Sequence, residues 1–357
     1  MEKPTSDRPR LTILSLPVGK IKHLWEHSSS GQIEDKRRVA KILAERGIEV
    51  RLIEPYDRPW NPFAKSHSIF RSLDPLRALR VIFRERDSDV VISFFESGAV
   101  FLLLLRGIFR FKAPIIIRDV GITESWRIRE RILDFVIPRA DAVLPMGSNQ
   151  VEYIRKRWKV RGLVEFHPTE TDTNFYAPRP EAPSNGTILA VGDDAARDFG
   201  TMLEAIKGLD FPVLIKSGKV KEDREVYPNL TVISRHLSFI EYRQLFIDAA
   251  LVIVPLADAI HASGVTTLLE AMAMGKPVIV SDSEGIRDYI VAGETCLAVP
   301  CNDPAALRSA IDRLMAEPET RARLGAGARR FVEKYCSPEA HAGAIEDVIH
   351  RLLAARR

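Results

Sequence analysis

Cysteine is scarce: only Cys296, Cys301 and Cys336 occur in 357 residues, with no Cys-x-x-Cys spacing. An odd, scattered set of this kind implies neither a disulfide framework nor a zinc site. The thiols are expected to be buried or incidental, in a reducing cytoplasm. A membrane-spanning helix needs about 20 predominantly apolar residues. The most apolar stretch, GAVFLLLLRGIFRFKAPIII, is broken by Arg106, Arg110 and Lys112. It is expected to be a buried core helix, with an amphipathic segment lying in a membrane interface as the alternative. The polar start MEKPTSDRPR carries no signal-peptide pattern, so no cleavable leader is expected. No short internal repeat or low-complexity tract stands out. Neither a nucleic-acid-binding module nor a basic–aromatic platform is recognisable, so no nucleic-acid partner is expected. His23, His27 and His67 show no metal-ligand spacing and are given no role.

What is present is the balance of a globular protein, 46% hydrophobic and 28% charged, in a chain long enough for two cores. The net charge of +4 conceals an asymmetry. Residues 1–178 hold 31 Lys and Arg against 23 Asp and Glu, a net of +8, and residues 179–357 hold 21 against 25, a net of −4. A basic first half suggests an anionic partner, such as a membrane surface, a phosphorylated lipid or, as the weakest option, nucleic acid, or else simply an Arg-rich solvated surface.

Short β-rich apolar runs alternate with helix-patterned stretches, as in parallel sheets with crossover helices. LTILSLPV, EVRLIEP, DVVISFF, APIIIRDV and DAVLPMG read as strands in the first half. GTILAVGD, FPVLIKSG, LTVIS, ALVIVPL, PVIVSD and CLAVP read as strands in the second. The fold class is therefore α/β, with two doubly wound Rossmann-like domains. We place an N-terminal domain at 1–168, a linker at 169–186, a C-terminal domain at 187–336, and a final helix at 337–357 packing back on the first domain. The linker region is rich in Pro, Thr, Asn and Ser, but Phe175 and Tyr176 within it call for a packed environment.

The chemistry concentrates in HASGVTTLLEAMAMGKPVIVSDSEG, residues 261–285. The strand LVIVPL leads into a loop and then a helix starting near Gly264. The free N–H groups of its first turn (Ser263 to Val265 onward), with the helix dipole behind them, make an anion site. Gly264 allows close backbone approach, and Thr266 and Thr267 add hydroxyls. Glu270 lies one turn beyond Thr266, about 6 Å along the axis. A diphosphate at the first turn would put an attached ribose near that carboxylate. Read without context, Glu270 would equally be a local cap or ion-pair partner on a buried helix.

GVTTLLEAMAMGKPVIVS resembles the donor-binding motif of the large retaining family of GT-B glycosyltransferases, family 4 or glycosyl transferases group 1. There the glutamate of the LEAMA position holds the ribose. SSSGQIEDKRRVAKILAERGIEVRLIE resembles the family's glycine loop and first helix, with Gly31 as the acceptor- and phosphate-facing glycine. TDTNFYAP resembles the interdomain segment "VDtdfFxP", and VGDDAARDFGTMLEAI resembles the strand–loop–helix whose basic residues clasp the diphosphate. The resemblance implies a GT-B fold facing an interdomain cleft and a nucleotide diphosphate-sugar donor. It implies a hydroxyl acceptor, a glycan or lipid-linked saccharide, with retention of configuration. Ser263, Gly264, Val265, Thr266, Thr267 and Glu270 are its donor-binding set, with Arg197 at the position of the family's lysine and Lys216 or Lys219 as a second cation.

The sequence also departs from the family. His261 stands three residues before Gly264, with eight residues between it and Glu270, where the family has two glutamates separated by seven. Gly192 is followed by Asp193, not arginine. Asp119 and Glu96 follow strands of the first half, where ligands bind in such sheets. With His261 they are the candidate catalytic residues, although each carboxylate could equally be an N-cap or pair with Arg118 or Arg127. No DxD-type pair is recognisable, so no cofactor or metal is expected. The alternatives are a nucleotide-sugar epimerase or hydrolase, or a degenerate, non-catalytic binding protein. The expected location is the cytoplasm, with peripheral attachment to the inner face of a membrane.

Overall fold

The structure, a computed structural model, describes residues 8–14, 37–53, 75–122, 127–179 and 184–356. Gly31 and most of the glycine-loop segment lie outside the described residues. The chain forms two compact units. The first comprises the start of the chain, Arg37–His167 and the residues from Ala342 onward, and the second includes Pro168–His341.

The first unit is built on strands β1 (Arg10–Leu14), β2 (Glu49–Ile53), β3 (Val90–Ser93), β4 (Ile115–Arg118), β5 (Ala142–Leu144) and β6 (Leu163–Val164). They form one sheet in the order β2-β1-β3-β4-β5-β6, with every described pair parallel. Every residue of β3, β4 and β5 is buried, because parallel strands covered on both faces read as continuous apolar runs. The two-residue β6 is too short for any periodic pattern and was not expected. Helices α1 (Arg38–Glu45), α2 (Pro75–Arg84), α3 (Glu96–Leu105), α4 (Arg127–Val136) and α5 (Ser148–Trp158) join the strands.

Helix α3 holds the apolar run noted in the sequence. Ala99, Val100, Leu102 and Leu103 are buried in one core cluster with Val81 and Ile82 of α2 and Leu133 and Val136 of α4. Among the described residues no helix is long and apolar enough to cross a membrane. On the other face Ile42 and Leu43 of α1 pack with Ala342, Ile345, Val348 and Ile349. Those four belong to the last helix, Pro338–Ala354. Burying Ile345, Val348 and Ile349 contributes about 2 kcal/mol each in gross transfer energy. Around them Arg46 Nη1 meets Glu346 Oε2 at 3.1 Å and Arg351 Nη1 meets Glu165 Oε2 at 2.9 Å.

The second unit has strands β7 (Thr187–Val191), β8 (Val213–Lys216), β9 (Leu230–Ile233), β10 (Ala249–Val254), β11 (Val278–Ser281) and β12 (Leu297–Val299). Their order is β12-β11-β10-β7-β8-β9, again parallel throughout. From β7 the chain winds outward one way and from β10 the other. The switch point, where ligands bind in such sheets, is therefore at the carboxyl ends of β7 and β10. Helices α6 (Phe199–Ile206), α7 (Phe239–Asp248), α8 (Val265–Ala273), α9 (Pro304–Ala316) and α10 (Pro318–Tyr335) complete the unit. Local signals set their starts. Asp198 Oδ1 accepts from Thr201 N at 3.0 Å, and Ser238 with Glu241 closes a capping box on α7.

TDTNFYAP is ordered within this unit. Asp172 Oδ1 accepts from the N–H groups of Asn174 and Phe175, Phe175 and Tyr176 are buried, and their rings pack edge to face at 4.9 Å. Arg329 Nη1 donates to the carbonyls of Thr173, Tyr176 and Ala273, fastening the segment to the end of α8.

Candidate functional site

The carboxyl end of β7 runs into Gly192, whose φ of +142° suits glycine. A Cβ there would fall 2.7 Å from Arg197 Cζ. Across the switch point, Gly264 precedes α8 with φ +75°, and a Cβ on it would fall 3.1 Å from Arg197 Nη1 and 2.9 Å from Val254 Cγ1. Two glycines from opposite loops thus leave a slot that the Arg197 guanidinium fills, with its side chain only 2% exposed. Arg197 Nε donates to Asp194 Oδ2 at 2.8 Å and Nη2 to Thr267 Oγ1 at 2.9 Å. Nη1 is buried without a hydrogen-bond partner. Burial opposes the Arg197 charge, and Asp194 counters it. A buried cation with one donor unspent, beside the N-terminus of an apolar helix, is prepared for an anion.

Helix α8 carries the next contacts. Thr267 and Glu270 are buried, whereas Thr266 is exposed. It is Thr267, therefore, that joins the Arg197 guanidinium to the Glu270 side of the helix. Tyr242 of α7 donates its hydroxyl to Glu270 Oε2 at 2.9 Å. Burial, followed by the Glu270 charge, raises the phenol well above its ordinary range, while contact with Thr267 opposes that shift. Tyr242 thus remains a donor at any working pH. The chain Asp194–Arg197–Thr267–Tyr242–Glu270 joins the helix start to a carboxylate one turn along it.

Ser263 is buried and its hydroxyl bonds Asp194 Oδ1, and Val265 is buried in the first turn. The carbonyl of His261 accepts from Ser263 N at 2.7 Å. Its half-buried ring has a pKa lowered by burial, partly countered by Asp194, which favours the neutral imidazole. Counting seven intervening residues back from Glu270 reaches Ala262, which is buried and apolar, so no carboxylate occupies that position. Asp193 accepts from Ser217 Oγ at 2.8 Å and Gly218 N at 2.7 Å. Burial disfavours its charge, but these donors, with help from Lys216 and Lys219, hold its carboxyl below the usual range. Lys216 ends β8 half-buried, and Lys219 Nζ donates to the Asp194 carbonyl at 2.7 Å.

In the first unit, Glu96 opens α3 and Asp119 follows β4 directly. Both are buried. Asp119 has φ +64°, a left-handed conformation that Asp and Asn tolerate better than most residues. Its N–H donates to Leu144 O at 3.0 Å, and Gly121 N donates to Glu96 Oε2 at 3.3 Å. Burial first, and the Glu96 charge second, push the Asp119 carboxyl up to about 6, against the opposing effects of Arg118 and the Val120 N–H. Two coupled carboxyl groups, one titrating near neutrality, stand at the carboxyl edge of this sheet. Buried Arg77 lies close by. A Cβ on Gly98 would sit 2.7 Å from its Nη2 and 2.5 Å from Ser93 Oγ.

Sequence reasoning missed Asp194, Tyr242 and Arg77. Arg77 carried a signal, a cation on the same helical face as Val81, but Tyr242 sits 28 residues from its partner with nothing local to mark it.

Residues 235–331 match the family Glycosyl transferases group 1. The chain is similar to the lipopolysaccharide core biosynthesis glycosyltransferase LpsD of Rhizobium meliloti, 23% identical over 94% of this chain and 100% of that one. Among solved structures it resembles sucrose-phosphate synthase of Thermosynechococcus elongatus, with TM-score 0.72 and 18% identity over 98% of this chain and 100% of the other. It also resembles Anabaena HepE in complex with UDP, with TM-score 0.66 and 13% identity over 96% and 100% of the two chains. With that matched domain, a full-length glycosyltransferase relative and two parallel doubly wound units, the chain is a glycosyltransferase of the GT-B fold carrying a glycosyl transferases group 1 domain.

Proposed function

We propose that the chain moves a hexosyl group from a nucleotide diphosphate sugar, most simply a UDP-sugar, to a hydroxyl of a glycan or lipid-linked saccharide. The carrying observation is the buried Arg197, slotted between Gly192 and Gly264 with Nη1 unspent at the start of α8. In this reading the diphosphate lies on Arg197 and on the amides of Gly264, Thr266 and Thr267, with Lys216 or Lys219 near its outer oxygens. The amides of Ser263 and Val265 already donate to His261 O and Ala262 O. Glu270, fixed by Tyr242, accepts from the ribose hydroxyls. These groups stabilise the charge that develops on the departing nucleotide diphosphate, so transfer is proposed to be metal-independent. Asp119, with Glu96 beside it, orients and deprotonates the acceptor hydroxyl. Retention of configuration follows the family resemblance, as does assignment to family 4. HepE has been seen with UDP-glucose, and the relative LpsD is named for lipopolysaccharide core synthesis. The first supports a sugar-nucleotide donor and the second a glycan acceptor. Handling of that acceptor at the cytoplasmic face of an anionic membrane is proposed from the basic first half of the chain.

A thermal-shift series with UDP-, GDP-, ADP- and TDP-sugars tests the donor. One nucleotide class should raise the melting temperature, by about 2.7 kcal/mol of stabilisation at a hundredfold excess over Kd, and Glu270→Ala should abolish the rise. No response to any of them would sink the proposal. Turnover should survive EDTA, and the product's anomeric configuration, read by NMR, should match the donor's. A second reading has its own support in Ala262 and Asp193, which replace a carboxylate and an arginine of the family pattern: a degenerate donor-binding protein. Donor binding without turnover on any acceptor extract would favour it.

A further inference from the structure

Because the first sheet is parallel, the turns that follow α2, α3 and α4 all lie along one edge, at the amino ends of β3, β4 and β5. This edge exposes large apolar side chains in quantity: Ile108 is 74% exposed, Phe83 58% and Phe135 51%. They are joined into one surface. Phe109 packs edge to face on Phe83 at 5.1 Å, Arg86 Nη2 donates to Phe109 O at 3.1 Å, and Arg106 Nη1 donates to Arg139 O at 3.2 Å. Arg139 in turn lies over the Phe135 ring. The segment Arg106–Lys112 carries three cations and no acid. The described carboxylates along this edge are each paired with a cation or an N–H. Asp141 pairs with Arg106 at 2.7 Å and Asp134 with Arg157 at 2.7 Å. In the turn after α2, Glu85 and Asp87 pair with Arg51 and Asp89 with the Arg10 N–H.

We infer that this edge is the surface by which the protein docks on an anionic lipid bilayer. Exposed apolar side chains ringed by Arg and Lys match the acyl boundary and the phosphate layer of such a surface. A second copy of the same patch would set cations against cations, which disfavours self-association through a twofold axis. Ile108 leads the contact, at the tip of the turn after α3, and Arg110 and Lys112, both exposed, follow it. The inference deepens the membrane-borne part of the proposed function and rests on it. It is scored without any nucleotide sugar, so its failure and that of the donor reading are told apart.

The test is flotation of the full chain with vesicles of phosphatidylcholine, with and without phosphatidylglycerol, at low and high salt. Binding is expected only to the anionic vesicles and is expected to weaken at high salt. Ile108→Asp, and separately Arg110→Glu with Lys112→Glu, should each lower the partition roughly tenfold or more. The substituted side chains are exposed, so melting temperature and nucleotide-sugar binding should be unchanged, which separates lost docking from lost folding. No flotation with anionic vesicles at low salt would overturn the inference. So would flotation that both variants leave intact. It would also fall if Ile108→Asp converted a dimer to a monomer while vesicle binding stayed as it was, or if single-stranded nucleic acid, and not vesicles, were the ligand lost.

Discussion

Replacing Asp119 with Asn should make the first unit more stable at neutral pH, even though the proposed acceptor base is gone. Asparagine keeps the size of the side chain and accepts the left-handed backbone at this position, φ +64°. Burial and the Glu96 charge raise the Asp119 carboxyl from 3.8 to about 6. Between those values the folded chain holds a proton that the unfolded chain has released, so stability falls as pH rises through this window. The interval from 3.8 to about 6, at 1.36 kcal/mol per pH unit, gives a penalty of at most about 3 kcal/mol above pH 6. The variant cannot pay it. Urea unfolding of both proteins should converge near pH 3.5 and diverge to roughly 1–3 kcal/mol by pH 7.5, with the variant the more stable. Fluorescence suits the measurement, because Trp158 is buried in the core of this unit. A stability difference constant with pH would refute the reasoning, as would wild type gaining on the variant between pH 4 and 6. Transferase turnover should meanwhile drop by about 10²-fold or more.

Two further substitutions probe the donor site. Gly192→Ala would put a Cβ 2.7 Å from Arg197 Cζ, forcing the guanidinium out of its slot; titration calorimetry should show UDP affinity weakened by about 1.5–3 kcal/mol, and unchanged affinity would contradict the phosphate role of Arg197. Tyr242→Phe removes the 2.9 Å bond to Glu270. If the tyrosine positions the ribose carboxylate, the preference for UDP over 2′-deoxy-UDP should shrink, whereas a purely structural tyrosine would lower stability and leave that preference alone.

The strand runs were legible because parallel strands buried on both faces cannot hide their composition: IIIR and VVIS announce themselves. The start of α8 was legible through Gly264, and the Gly264–Glu270 run was informative mainly through family resemblance. Lateral contacts could not be read. Thr266 and Thr267 are indistinguishable in sequence, yet only Thr267 is turned inward to Arg197, 70 residues away. Glu96 and Asp119 stood out by position at strand ends, but nothing in the sequence showed that they share one electrostatic environment. Asp194 looked like one more loop carboxylate, and its hold on Ser263 and Arg197 appears only when two distant loops meet.

The slot that holds Arg197 also bears on the thermodynamics of binding. A free arginine side chain has about 2 kcal/mol of rotamer entropy to lose when it grips a ligand. Walled by two glycines and tied to Asp194 and Thr267, this one has already lost that freedom in folding. An anion arriving at Nη1 therefore finds a fixed electrode and need not halt a moving arm. Its binding should carry little entropic penalty from the protein side.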